Sequence, residues 1–197
     1  MQEIFRIFSR VKLRVAITGF MPLLIISACS DPAPVAKAPA RACGTDGGLR
    51  VEFYGGLETA IEWNSNQLEC QGMPRPNGAG ARLRFAGKVG NGKESVPLAI
   101  ILGIPSLERG QSSKELPTNV TVIDEAHGRF FATQDVDSCW SDIDRHQPSD
   151  NSSTRPGEYV VDGILYCVSP LAELHGSGSL RLSDLHFTGL IDWKTPE

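Results

Sequence analysis

The segment Asp135-Val-Asp-Ser-Cys-Trp-Ser-Asp-Ile-Asp144 gathers four carboxylates in ten residues around one tryptophan. Carboxylate oxygens are hard ligands that suit calcium. The spacing does not fit an EF-hand loop, because Cys139 stands where a third ligand belongs and no loop glycine follows. An exposed Trp140 with Asp142 and Asp144 beside it suits a different chemistry, in which the indole stacks on a sugar ring while the carboxylates accept from its hydroxyls. Two plainer readings compete. Strand alternation sends Asp142 and Asp144 to solvent and Ile143 to the core, and a tryptophan next to a half-cystine is commonly buried against the disulfide. Trp140, Asp142 and Asp144 are therefore the candidate ligand-binding residues, and no metal site is assigned.

The rest of the chain offers no motif that names a reaction. His127, His146, His175 and His186 are scattered, with no HExxH or HxH pair to hold a hydrolytic metal. Gly-x-Ser-x-Gly is absent, and Gly176-Ser-Gly-Ser179 reads as a turn. Gly87-Lys-Val-Gly-Asn-Gly92 lacks the Lys-Ser/Thr of a phosphate loop. No catalytic residue and no cofactor is expected. Glycosidase carboxylates need not share a local motif, so a hydrolase of polysaccharide or peptidoglycan stays as the alternative to a binding module.

The amino terminus carries the most specific pattern. Arg6, Arg10, Lys12 and Arg14 form a basic leader, and an apolar stretch follows from Val15 to Ile26, interrupted by Thr18, Gly19 and Pro22. A span of the bilayer needs about 20 apolar residues, whereas an export signal needs a core of about 7–15. The stretch ends in Ile26-Ser27-Ala28-Cys29. This resembles the lipobox of bacterial lipoproteins, in which an aliphatic residue and two small ones precede an obligatory cysteine. The resemblance implies that residues 1–28 are a signal peptide, that Cys29 is lipidated through a thioether after cleavage, and that its freed amine is acylated. It further implies attachment to a membrane, and Ser30 at the second position implies the outer membrane facing the periplasm. A diacylglyceryl group meets the requirement of about two chains for stable anchoring.

Removing residues 1–28 takes away four basic residues and one acidic, leaving 15 Lys+Arg against 22 Asp+Glu, a formal charge of −7. No basic run survives to hold nucleic acid or anionic lipid, so membrane affinity falls to the lipid. Residues 29–42, with Pro32, Pro34 and Pro39 and no apolar period, read as a tether of at most roughly 40 Å. Residues 43–197 then form one domain. Cys43, Cys70, Cys139 and Cys167 remain there, an even set that points to two disulfides in an oxidising compartment. Three pairings are possible. Cys43–Cys70 and Cys139–Cys167 are preferred because each joins segments near in the chain.

Alternation of apolar and polar residues marks strands at Leu49–Tyr54, Thr59–Trp63 and Ala81–Phe85. The continuous run Leu98–Leu102 suits a central strand. Val120–Ile123, Arg129–Thr133, Tyr159–Val168, Leu180–Leu182 and His186–Trp193 add five more. Turn chemistry separates them at 74–78, at Asn91-Gly92 and at 176–178, while 147–157 reads as an exposed loop. Only Pro170–Leu174 suggests a turn of helix. The expected fold is all-β, an antiparallel β-sandwich with jelly-roll-like connections possible, or alternatively a small β-barrel. The expected function is a non-enzymatic binding or assembly module held at the envelope through Cys29, with an envelope protein or glycan as partner.

Overall fold

The computed structural model describes residues 41–194, except 77–78, 91, 93–94 and 150–156. The signal peptide, Cys29 and nearly all of the tether lie outside the described residues, as does most of the loop at 147–157. Fourteen strands follow one another: β1 (Arg41–Ala42), β2 (Gly48–Gly55), β3 (Thr59–Asn64), β4 (Glu69–Pro74), β5 (Ala81–Val89), β6 (Val96–Ile104), β7 (Ser113–Pro117), β8 (Asn119–Asp124), β9 (Arg129–Ala132), β10 (Cys139–Pro148), β11 (Glu158–Cys167), β12 (Leu171–Glu173), β13 (Ser179–Leu182) and β14 (Leu185–Asp192). Every pairing is antiparallel. The hydrogen-bonded path runs β1-β4-β5-β6-β8-β9-β12-β13-β2-β14-β11-β10-β7, and β3 pairs with β2 off that path. The all-β expectation holds, and the fold is sandwich-like. The path is open, ending at β1 and β7, which sets it apart from a closed barrel. The segment expected as a helical turn, Pro170–Leu174, instead supplies β12.

The open sheet doubles back so that β4 and β5 pack against β14. Phe85 of β5 meets Phe187 of β14 with ring centroids 5.7 Å apart. Two glycines make the approach possible. A Cβ on Gly189 would lie 3.0 Å from the Phe85 ring, and one on Gly72 would run into the Leu190 carbonyl. Between the layers, Leu83, Phe85, Ile100, Leu102, Val122, Phe131, Val161, Leu165 and Ile191 are all buried. These are the inward members of strands with period two, as the burial of Leu185, Phe187, Gly189 and Ile191 along β14 shows. Trp63 also packs inward, its indole N–H donating to the Lys88 carbonyl at 3.0 Å. Leu98–Leu102 lies in β6, between β5 and β8, as a central strand should.

The chain changes layers at Thr118, between β7 and β8. Thr118 is 1% exposed. Its N–H donates to the Cys139 carbonyl at 2.9 Å. Its hydroxyl donates to the Leu116 carbonyl at 2.9 Å and accepts from Ser141 at 2.8 Å. A buried corner with its polar groups paired in this way avoids the desolvation cost of unmade bonds.

Both preferred disulfides are present, Cys43–Cys70 and Cys139–Cys167. The second joins residues directly opposite each other in the β10–β11 ladder. Loops of 27 and 28 residues each contribute about 3–4 kcal/mol in the chain-entropy model.

His146 closes the core at the far end of β10 and is 4% exposed. Its Nε2 accepts from the Trp193 indole N–H at 2.9 Å, so the proton resides on Nδ1, 3.3 Å from the Gln111 carbonyl. Burial, partly opposed by the Gln111 and Glu108 carbonyls, lowers its pKa from the ordinary 6.5. The unfolded chain therefore binds a proton where the folded one does not. The resulting stability is complete above the unfolded value and is lost as pH falls through it, levelling off below the folded value. The melting temperature should fall between pH 7.5 and 5.5, and His146→Gln should shrink that fall while lowering the melting temperature at pH 7.5. An unchanged pH dependence in the variant would sink the assignment.

Candidate functional site

Alternation in β10 and β11 creates the candidate site. Val161, Gly163 and Leu165 point inward, so Val160, Asp162, Ile164 and Tyr166 share the outward face. On β10, Cys139, Ser141 and Ile143 are buried, which turns Trp140 and Asp142 outward. Trp140 pairs with Tyr166 on one side and with Pro117 of β7 on the other. The two rings lie 24° from parallel with centroids 6.1 Å apart. The reading of Trp140 as a core residue packed on the disulfide is thus corrected: Cys139 faces the core, and Trp140 is half-buried on the opposite face. Val168 continues the same face beyond Tyr166, and its N–H donates to the Ser138 carbonyl at 3.0 Å. Val168 is 70% exposed, an apolar residue two positions beyond Tyr166.

The carboxylates singled out in the sequence are both engaged. Asp142 Oδ1 accepts from the Glu115 N–H at 2.8 Å, and its Oδ2 lies 3.4 Å from Lys114 Nζ. Lys114 also donates to Asp144 Oδ1 at 2.6 Å. The hydrogen bond to Asp144 is the main reason the Lys114 pKa is raised, so the ammonium stays charged between the two acids. The same lysine occupies the place that a cation would take. Among the described residues, no group of three or more His, Cys, Asp or Glu could hold a metal ion. Burial first, then the Asp142 and Glu115 carboxylates, push the Tyr166 phenol above its ordinary value, keeping it a neutral hydroxyl. The arrangement offers an aromatic surface edged by fixed polar groups.

Two irregularities aim these groups. The β10–β11 register shifts between Ile143 and Arg145, making Asp144 an extra, exposed residue. In β7, Glu115 has φ 55°, a left-handed conformation that side chains with a Cβ rarely adopt. That backbone turns its N–H onto Asp142.

Beyond the bulge, Arg145 returns to the outward face. Its Nε donates to Asp162 Oδ2, while Asp162 Oδ1 is buried and has no hydrogen-bond partner among the described residues. A groove of about 330 Å³ opens there, lined by Asp46 and neighbouring loop residues, Arg145, Gln147, Val160, Thr188 and Leu190. Sequence reasoning does not reach Tyr166, Lys114, Glu115 or the groove residues. For Tyr166 a signal exists: Cys-Trp at 139–140 and Tyr-Cys at 166–167 are mirror images, so pairing the cysteines across a hairpin pairs the aromatics too.

Glu115→Gly tests the strain. The left-handed cost is about 1–2 kcal/mol and the glycine entropy cost about 0.5–1, so the variant should gain roughly 0.5–1 kcal/mol in urea denaturation. A lowered midpoint would show that the Glu115 side chain, and not only its backbone, supports the edge.

No family model, curated protein or solved structure matches this chain.

Proposed function

We propose that this chain is an envelope lipoprotein, anchored through Cys29 to the outer membrane on its periplasmic side, whose β-domain binds a glycan without acting on it. The observation that carries the binding reading is the outward Trp140–Tyr166 pair, edged by Asp142 and Lys114. Sugar rings have an apolar face and a polar rim, and this surface matches both. Adjacent aromatic rings partly exposed on an outward strand face are the kind of patch that marks an interaction site. Asp142 and Asp144 are held as acceptors by Lys114, which suits positioning of hydroxyls more than proton transfer to a leaving group. The anchor reading is supported by the lipobox-like Ile26–Cys29 and by two disulfides, which fit an oxidising compartment.

Each half has its own test. Cys29→Ser should abolish metabolic labelling with a clickable fatty acid, and persistent labelling would refute the anchor. Trp140→Ala should weaken binding to N-acetylglucosamine oligomers at least tenfold by titration calorimetry, with the fold intact by circular dichroism. Equal binding by wild type and variant would remove Trp140 from the site.

A further inference from the structure

We infer that the Trp140–Tyr166 pair is one end of a linear track that runs along β10, β11 and β14 into the groove beside Arg145, so that the ligand is a chain of sugars rather than one sugar. This inference rests on the glycan reading above and deepens it.

Three observations place the two ends on one surface. Tyr166, Ile164, Asp162 and Val160 are successive outward residues of β11. Cross-strand pairing sets Trp140, Asp142, Arg145 and Gln147 beside them on β10. It sets His186, Thr188 and Leu190 beside Ile164, Asp162 and Val160 on β14. The bulge at Asp144 matters here, because without it Arg145 and Gln147 would point inward. From Tyr166 to Val160 the track spans about 20 Å at roughly 3.4 Å per residue, several times the length of one pyranose ring.

The lining is that of a sugar site along its length. The aromatic end offers stacking, and exposed Val168 beyond Tyr166 suits the methyl of an N-acetyl group. Midway, Asp162 holds Arg145, whose partly exposed guanidinium offers donors to sugar hydroxyls. In the groove, Val160 and Leu190 supply an aliphatic floor, while Thr188, Gln147 and Arg145 supply hydrogen-bonding groups. Asp46, Asp142, Asp144 and Asp162 outnumber Arg145 and Lys114, so the track is net acidic. A neutral N-acetylated glycan chain fits this balance better than a polyanion.

The test titrates purified full-length chain with N-acetylglucosamine and its dimer, tetramer and hexamer. Affinity should rise at least fivefold from dimer to tetramer and little from tetramer to hexamer. Gln147→Ala with Thr188→Val, a pair of exchanges that keeps strand-compatible side chains, should bring tetramer affinity down to that of the dimer. Equal affinity for dimer and tetramer, lost in Trp140→Ala, would overturn the track and leave the aromatic site standing. No binding of any oligomer by the wild type would overturn both.

Discussion

The register of β10 on β11 is the constraint from which the rest of the outward face follows. Side chains alternate with a period of two, so a slip of one residue would exchange every inward group for an outward one. Cys139 and Cys167 face each other across this ladder and are covalently joined. With that pair fixed in the interior, Trp140 and Tyr166 have only the outer face left to them. The same lock places the Ile143 side chain in the core and leaves Asp144 as the residue that must bulge. Thr118 and Ser141 reinforce the interior side of β10, where an unpaired hydroxyl would be costly.

Packing of the doubled sheet depends on a second set of small residues. Gly189 leaves space for the Phe85 ring, and Gly72 lets the β4 backbone approach the Leu190 carbonyl. A side chain at Gly72 would hold the layers apart, and one at Gly189 would press on the Phe85 ring. Gly189 therefore has a dual effect on β14, whose inward side closes the core while its outward neighbours Thr188 and Leu190 line the groove.

The strands with clean alternation or dense apolar character are legible in the sequence: β2, β3, β8, β9, β11, β13 and β14 follow the expected segments closely, and β5 and β6 run about four residues beyond theirs. Three of the strands that escape such a reading share a reason. β4 carries Gly72 and ends at Pro74, β7 carries a left-handed Glu115 and Pro117, and β12 is three residues preceded by proline. In each, position within the sheet overrides weak local propensity. The preferred disulfides match the structure because both close nearby strands. Trp140 stands out as a candidate from its neighbours alone, but its outward direction depends on the register, and Tyr166 is brought to it only by a pairing 26 residues distant in the chain. Lys114 and the groove residues reach their partners through tertiary contacts that leave no local pattern.

The open path of the sheet leaves β7 as a terminal strand, and the irregularities of that strand have a consequence for how copies of the molecule meet. A flat strand edge would offer its free N–H and C=O groups to the edge of another copy. In β7 the left-handed Glu115 breaks the line of donors, Pro117 removes one outright, and Lys114 adds charge. The feature that turns a backbone N–H toward Asp142 thus also discourages edge-to-edge polymerisation, keeping a sheet with loose ends from growing by recruitment of its own kind.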